Sequence, residues 1–128
     1  MAARRISGGY KVKVPIKAGV TITPATIACY SAGFLTTGDD TAGLISIGVA
    51  DEAVDNKNGG DGDLSAWVWI NCIAMVDLDP SIVAADAGHA VYILNSTTVA
   101  KASATTNATV GGVMLWANIS DAYGLLRF

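Results

Sequence analysis

The sequence predicts a mainly β fold: a compact barrel-like or β-tulip single domain of short antiparallel strands, with at most one short helix and an extended N-terminal arm. Three observations predict it. The apolar runs are short and divided by Gly, Thr, Ser and Asp turns. Outside one short stretch near residue 80, no segment sustains the 3.6-residue helical period beyond two turns. The second half of the chain also reads as a worn copy of the first. At an offset of 64 positions Gly48-Val49 falls on Gly112-Val113, Ile27 on Val91, Tyr30 on Leu94, Leu35 on Val99 and Ala53 on Ala117. The similar halves span about 24–54 and 88–118.

Taken in order, residues 1–9 end in Ser7-Gly8-Gly9 and read as a flexible arm, leaving 10–128 as the β domain. Tyr10 to Ile16 alternates polar and apolar, and Pro15 suits an edge strand. Val20 to Thr23 and Ala25 to Tyr30 are β-rich runs split by Pro24, and Gly33 to Thr36 turns back as a hairpin arm. Leu44 to Ala50 is the next strand, entered through the turns at Gly38-Asp39-Asp40 and Ala42-Gly43. Asp55 to Asp63 is a surface loop, and Ser65 to Leu78 reads as one long strand. Asp79-Pro80-Ser81 opens a single helical turn through Ala85, because Pro is tolerated early and Asp79 can cap. Val91 to Leu94, Thr98 to Ala100, Gly112 to Asn118 and Tyr123 to Phe128 complete the strands.

The 128 residues are 52% hydrophobic and only 15% charged, an excess of apolar surface that a permanent partner would cover, so a homo-oligomer is expected. The longest apolar window, Ala66 to Val76, is 11 residues and broken by Asn71, short of the ~20 that a membrane helix needs. No apolar stretch follows Arg4-Arg5, which argues against a signal peptide. Cys29 and Cys72 each sit in an apolar run; a disulfide is possible, but the flanks favour buried free thiols. That suits a protein made in the cytoplasm.

Charge is uneven. Arg4, Arg5, Lys11, Lys13 and Lys17 put five positive charges and no acid in the first 17 residues, and the rest holds all 11 acids. Such a basic stretch reaches for a negative partner or guards an exposed strand edge.

Nothing in the sequence assembles an active site. The loop Asp55–Asp63 nearly matches a calcium repeat, but Leu64 stands where the closing acid belongs and Lys57 spoils an EF-hand reading. His89 is the only histidine, with no nucleophile or orienting acid at a telling spacing. One His and two distant Cys do not make a zinc site, and no phosphate-binding glycine loop is present. No enzyme, cofactor or metal is expected. Trp67 and Trp69, two apart in a strand, share one face. Their size favours core or oligomer interface over a sugar or nucleic-acid platform.

Certain residues carry a resemblance. Thr26-Ile27-Ala28-Cys29-Tyr30 and Gly88-His89-Ala90-Val91-Tyr92-Ile93 are followed by Ile47-Gly48-Val49-Ala50 and Gly112-Val113-Met114, and the chain closes on Leu125-Leu126-Arg127-Phe128. This pattern, across residues 10–128, resembles the head decoration (cement) proteins of tailed bacteriophages. Departures are the longer Asp55–Asp63 loop and the Leu126-Arg127-Phe128 ending. The resemblance implies a structural protein of the virion, usually a trimer, on the outer surface of the expanded capsid. There it would clamp neighbouring major capsid protein subunits, with no membrane and no direct nucleic-acid partner. Arg4, Arg5, Lys11 and Lys13 are then the expected capsid-binding residues, Trp67 and Trp69 the oligomer interface or core. The rival expectation is a carbohydrate-binding or adhesion module on a phage particle.

Overall fold

The computed structural model describes residues 3–101 and 110–128; Met1-Ala2 and residues 102–109 lie outside the described residues. The chain is mainly β, as expected, and one 3₁₀ turn at Ala84–Asp86 is the single helical element among the described residues. The strands are β1 (Arg4–Ser7), β2 (Tyr10–Pro15), β3 (Thr21–Ile22), β4 (Ile27–Ser31), β5 (Phe34–Thr37), β6 (Ile45–Ala50) and β7 (Val54–Asp55). They continue with β8 (Ser65–Ile70), β9 (Ile73–Leu78), β10 (Ala90–Ile93), β11 (Thr98–Ala100), β12 (Val110–Asn118) and β13 (Tyr123–Arg127).

Two sheets carry the fold. In the second, β9, β11, β10, β12 and β13 run in that order and β13 pairs back to β9, closing a five-stranded barrel. In the first, the order is β2-β8-β6-β4-β5, and an Ile16–Leu35 parallel bridge draws its two ends together. The orders match strand for strand when β2, β8, β6, β4 and β5 are laid on β9, β13, β12, β10 and β11. The match extends to single hydrogen bonds. The parallel Ile16–Leu35 bridge corresponds to Leu78 beside Val99. Lys17 N donates to Leu35 O at 3.0 Å, and Asp79 N to Val99 O at 2.9 Å. Ile16 N donates to Leu64 O, and Leu78 N to Ala122 O, both at 2.9 Å. A bulge follows Ala28 where β4 meets β6, and another follows Val91 where β10 meets β12. The structural repeat is therefore wider than the spans 24–54 and 88–118, because β2 and β8 have counterparts too. It also sets Ala28, not Ile27, against Val91.

The alternation of each strand sorts its residues. Val14, Ile16, Ala28, Leu35, Ala66 and Val68 fill the inside of the first sheet. Val76, Leu78, Val91, Ile93, Val99, Met114 and Leu126 fill the barrel, joined by Ile27 and Cys29 from the opposite face of β4. Buried on both faces, β4 is the seam that makes the two sheets one domain. Val49, Cys72 and Ala74 form a third small cluster under Trp69 and Phe128.

Three expectations are corrected. Residues 1–9 read as a flexible arm in the sequence, yet Arg4–Ser7 pairs with β9 as strand β1 and Ala3 is fully buried in the barrel core. Backbone hydrogen bonds to an open strand edge hold this segment despite its two arginines. The long strand Ser65 to Leu78 is two strands in different sheets, broken where Asn71 takes a φ of 51°. The helical turn falls at Ala84–Asp86, later than Asp79 to Ala85, while Asp79 Oδ2 accepts the Ser81 N–H at 3.0 Å in the turn ahead of it.

Candidate functional site

The site is built on the outer face of β2 and β8. Antiparallel register places Lys11 opposite Trp69 and Lys13 opposite Trp67. Strand alternation then turns all four outward, because their neighbours Val14, Ala66 and Val68 point into the sheet. Trp67 and Trp69 are therefore not core residues. The small Ala66 and Val68 take the inside of a tightly curled sheet, and the indoles are left on the outer face. Trp67 is 37% exposed, while Trp69 is half-buried over Val49, Cys72 and Ala74.

Cations cover the two indoles. The Arg5 guanidinium lies 3.9 Å from the Trp69 ring centroid, and Lys13 Nζ lies 5.6 Å from that of Trp67. Lys11 Nζ sits between them, 5.7 Å from Trp67 and 6.0 Å from Trp69. Cation–π contacts of this kind contribute about 0.5–1 kcal/mol each at exposed sites. Arg5 is held in place by its Nε, which donates to Gly8 O at 3.1 Å. Strand β1 thus brings the arm's arginine onto the same face as the two lysines.

Two acids complete the face. Lys11 Nζ and Asp51 Oδ2 form an ion pair at 2.8 Å, and Trp69 Nε1 donates to Asp51 Oδ1 at 3.2 Å. Glu52 Oε1 accepts the backbone N–H of Trp67 at 3.0 Å. The Lys11 ammonium, with help from the Trp69 N–H and Arg5, holds the Asp51 carboxyl below the usual carboxylate range. A cleft of about 400 Å³ adjoins the face, lined by Ala3, Arg4, Arg5, Pro24, Asp51 and Trp69 among others. Arg4 itself stands off the ladder, with its guanidinium 3.9 Å from Met75 Sδ.

Of the six residues singled out from sequence, five converge here: Arg5, Lys11, Lys13, Trp67 and Trp69. Asp51 and Glu52 were missed. Their signal is only positional, as the first acids after the glycine-led run Ile47-Gly48-Val49-Ala50. Trp116 was also missed; it is 45% exposed on the barrel, edge-on to Tyr123 with ring centroids 5.5 Å apart.

The other candidates lie apart. Cys29 and Cys72 are both buried free thiols, and burial pushes the Cys29 thiol up to about 12. His89 is exposed in the turn before β10. In the Asp55–Asp63 loop the buried Asn56 donates to Lys17 O and Gly60 O, both at 3.1 Å, and ties the loop to the end of β2. Among the described residues no three His, Cys, Asp or Glu side chains cluster so as to hold a metal ion, and no helix is long and apolar enough to cross a membrane. The chemistry available on the β2–β8 face is stacking, ion pairing and hydrogen bonding. Comparison of the chain with family models, curated proteins and solved structures returned no match.

Proposed function

We propose that this chain is a non-catalytic structural protein that decorates the expanded head of a tailed phage. Its β2–β8 face docks on the major capsid protein, and it acts as a cement across capsid subunits. The observation that carries the reading is the ladder Arg5, Trp69, Lys11, Trp67 and Lys13 on one exposed face. Trp and Arg dominate the energetically important residues of protein–protein interfaces, where large rigid side chains exclude water around ion pairs. The sequence resemblance supplies the identity of the partner. Rings already covered by cations also leave less open π-face for a sugar than a bare tryptophan platform would.

A homotrimer belongs to the proposal. The bulge between Met114 and Trp116 leaves Leu115 and Trp116 both exposed, and with Ile119 they provide apolar surface for self-association. Multivalent attachment then adds avidity without tighter single contacts. The test is co-sedimentation of the purified chain with expanded heads of the parent phage, beside a glycan-binding screen. Saturable binding to heads without sugar affinity supports the cement reading. Sugar binding without capsid binding would replace it with the adhesion module.

A further inference from the structure

The repeat sets β2 and β9 in equivalent places, and their outer edges differ. The outer edge of β9 is filled along its length. Strand β1 covers its first half, with Arg4 opposite Met75 and Ser7 opposite Ile73, and β11 covers its second half. On β2 only the second contact has a counterpart, the Ile16–Leu35 bridge. Lys11 and Lys13 stand where β9 has Ile73 and Met75, and among the described residues no strand lies beside them.

The backbone at that edge is oriented to receive a strand. Ile16 donates to Leu64 O and accepts from Gly62 N, so its polar groups face the β8 side. In an antiparallel ladder this direction alternates, which turns the N–H and C=O of Lys11 and Lys13 outward to the open edge. Pro15 shares their direction and lacks an N–H, which ends the slot.

We propose that the edge of β2 across Tyr10–Lys13 accepts an extended, acidic segment of a partner protein, seated antiparallel as β1 is on β9. This deepens the docking reading and rests on it for the kind of partner. Strand addition uses backbone hydrogen bonds for affinity and alternate side chains for selection. Here selection comes chiefly from Lys13, exposed on the outer face, and from Lys11, which shares its ammonium with Asp51 and has Arg5 nearby over Trp69. Carboxylates on an incoming strand would sit opposite these ammonium groups, where cross-strand charge pairs are favourable. A second copy of this chain is the poorer occupant. Its β1 brings Arg4 and Arg5, its β2 brings Lys11 and Lys13, and both would set like charges opposite each other.

The test is a titration of the labelled full chain, followed by backbone amide NMR, with a short capped peptide alternating glutamate and valine. Weak binding is expected, in the millimolar range, with the Lys11 and Lys13 amides shifting and becoming protected from exchange. The same peptide with lysine for glutamate should leave them unmoved. Lys13→Pro removes one outward donor without touching the bonds to β8 and should abolish the response, whereas Lys13→Gln keeps the donor and should only weaken it. Should Lys13→Pro fail to fold, the amide protection in the native chain decides. The proposal is overturned if the acidic peptide shifts neither amide, which makes the lysines guards of a closed edge, or if both peptides act alike. It is also overturned if the peptide-free chain is a dimer or larger species with these amides already protected, because a second copy then holds the slot. The peptide result stands whether or not the chain binds phage heads, so the slot and the capsid reading fail separately.

Discussion

Gly48 and Gly112 occupy the same place in the two sheets, each pressed against the carbonyl of an equivalent residue on the next strand. A Cβ on Gly48 would overlap Trp69 O, and one on Gly112 would overlap Arg127 O. Both glycines sit beside the bulge that lets each sheet curl. The closeness is imposed by backbone atoms, which cannot rotate out of the way. Gly48→Ala and Gly112→Ala should each lower unfolding stability by about 2–3 kcal/mol. Chemical denaturation checks this, and a loss within error of zero at both sites would mean that the two bulges relax freely.

Removing residues 2–7 strips β1 from β9, vacates the place of Ala3 in the barrel core and lifts Arg5 off Trp69. The truncated chain should lose about 2 kcal/mol, several degrees in Tm. Its tryptophan emission should shift to longer wavelength as Trp69 is uncovered. An unchanged Tm and spectrum would show that the segment is a solvated tail.

The Asp51 carboxyl should titrate below the usual carboxylate range, chiefly because Lys11 Nζ bonds to it in the folded state. A depressed folded-state pKa contributes stability that is present above the unfolded value and lost as pH falls through the folded one. The effect is therefore confined to acid and leaves neutral pH untouched. Carbon NMR of the Asp51 carboxyl reads the midpoint, and Lys11→Gln should raise it. The pair is exposed, so Asp51→Asn should cost no more than about 1 kcal/mol. A midpoint that ignores Lys11→Gln would dissolve the ion pair as its cause.

Cys29 and Cys72 are buried, and desolvation raises both thiols, that of Cys29 to about 12. Since the thiolate is the nucleophile, the native chain should resist alkylation at neutral pH. Both thiols should label fully in denaturant. Rapid labelling of either in the native state would show an opening of β4 or of the β8–β9 corner that this packing does not provide.

The strand pattern was legible because period-two alternation and turn residues act locally. Thr98–Ala100 forms over the residues expected, and the hairpin around Ser31-Ala32-Gly33 stands within one or two residues of its reading. What escaped depends on contacts distant in sequence. Arg4–Ser7 carries no alternation worth the name, and only the vacant edge of β9 makes it a strand. Ser65 to Leu78 is apolar throughout, so composition hides the corner at Asn71-Cys72 that sends β9 into another sheet. The shared face of Trp67 and Trp69 followed from spacing, but which face lies inside is decided by what the curled sheet can hold, and Ala66 and Val68 fit. The full repeat was masked because its loops differ: the Asp55–Asp63 loop before β8 is matched before β13 only by the short turn at Ile119–Ala122. No single offset aligns all five strand pairs.

The proposed docking on phage heads runs through the Trp67 face of the first sheet, and not through the exposed barrel surface around Trp116. The most direct measurement compares Trp67→Ala with Trp116→Ala in quantitative co-sedimentation with expanded phage heads. Both indoles are substantially exposed, 37% and 45%, so neither truncation opens a core cavity. Trp67→Ala should weaken binding by about 30-fold, the size of an interface hot spot near 2 kcal/mol, while Trp116→Ala should bind heads with the native intrinsic affinity once its oligomeric state is matched. Native binding by Trp67→Ala, with the loss appearing in Trp116→Ala instead, would contradict it.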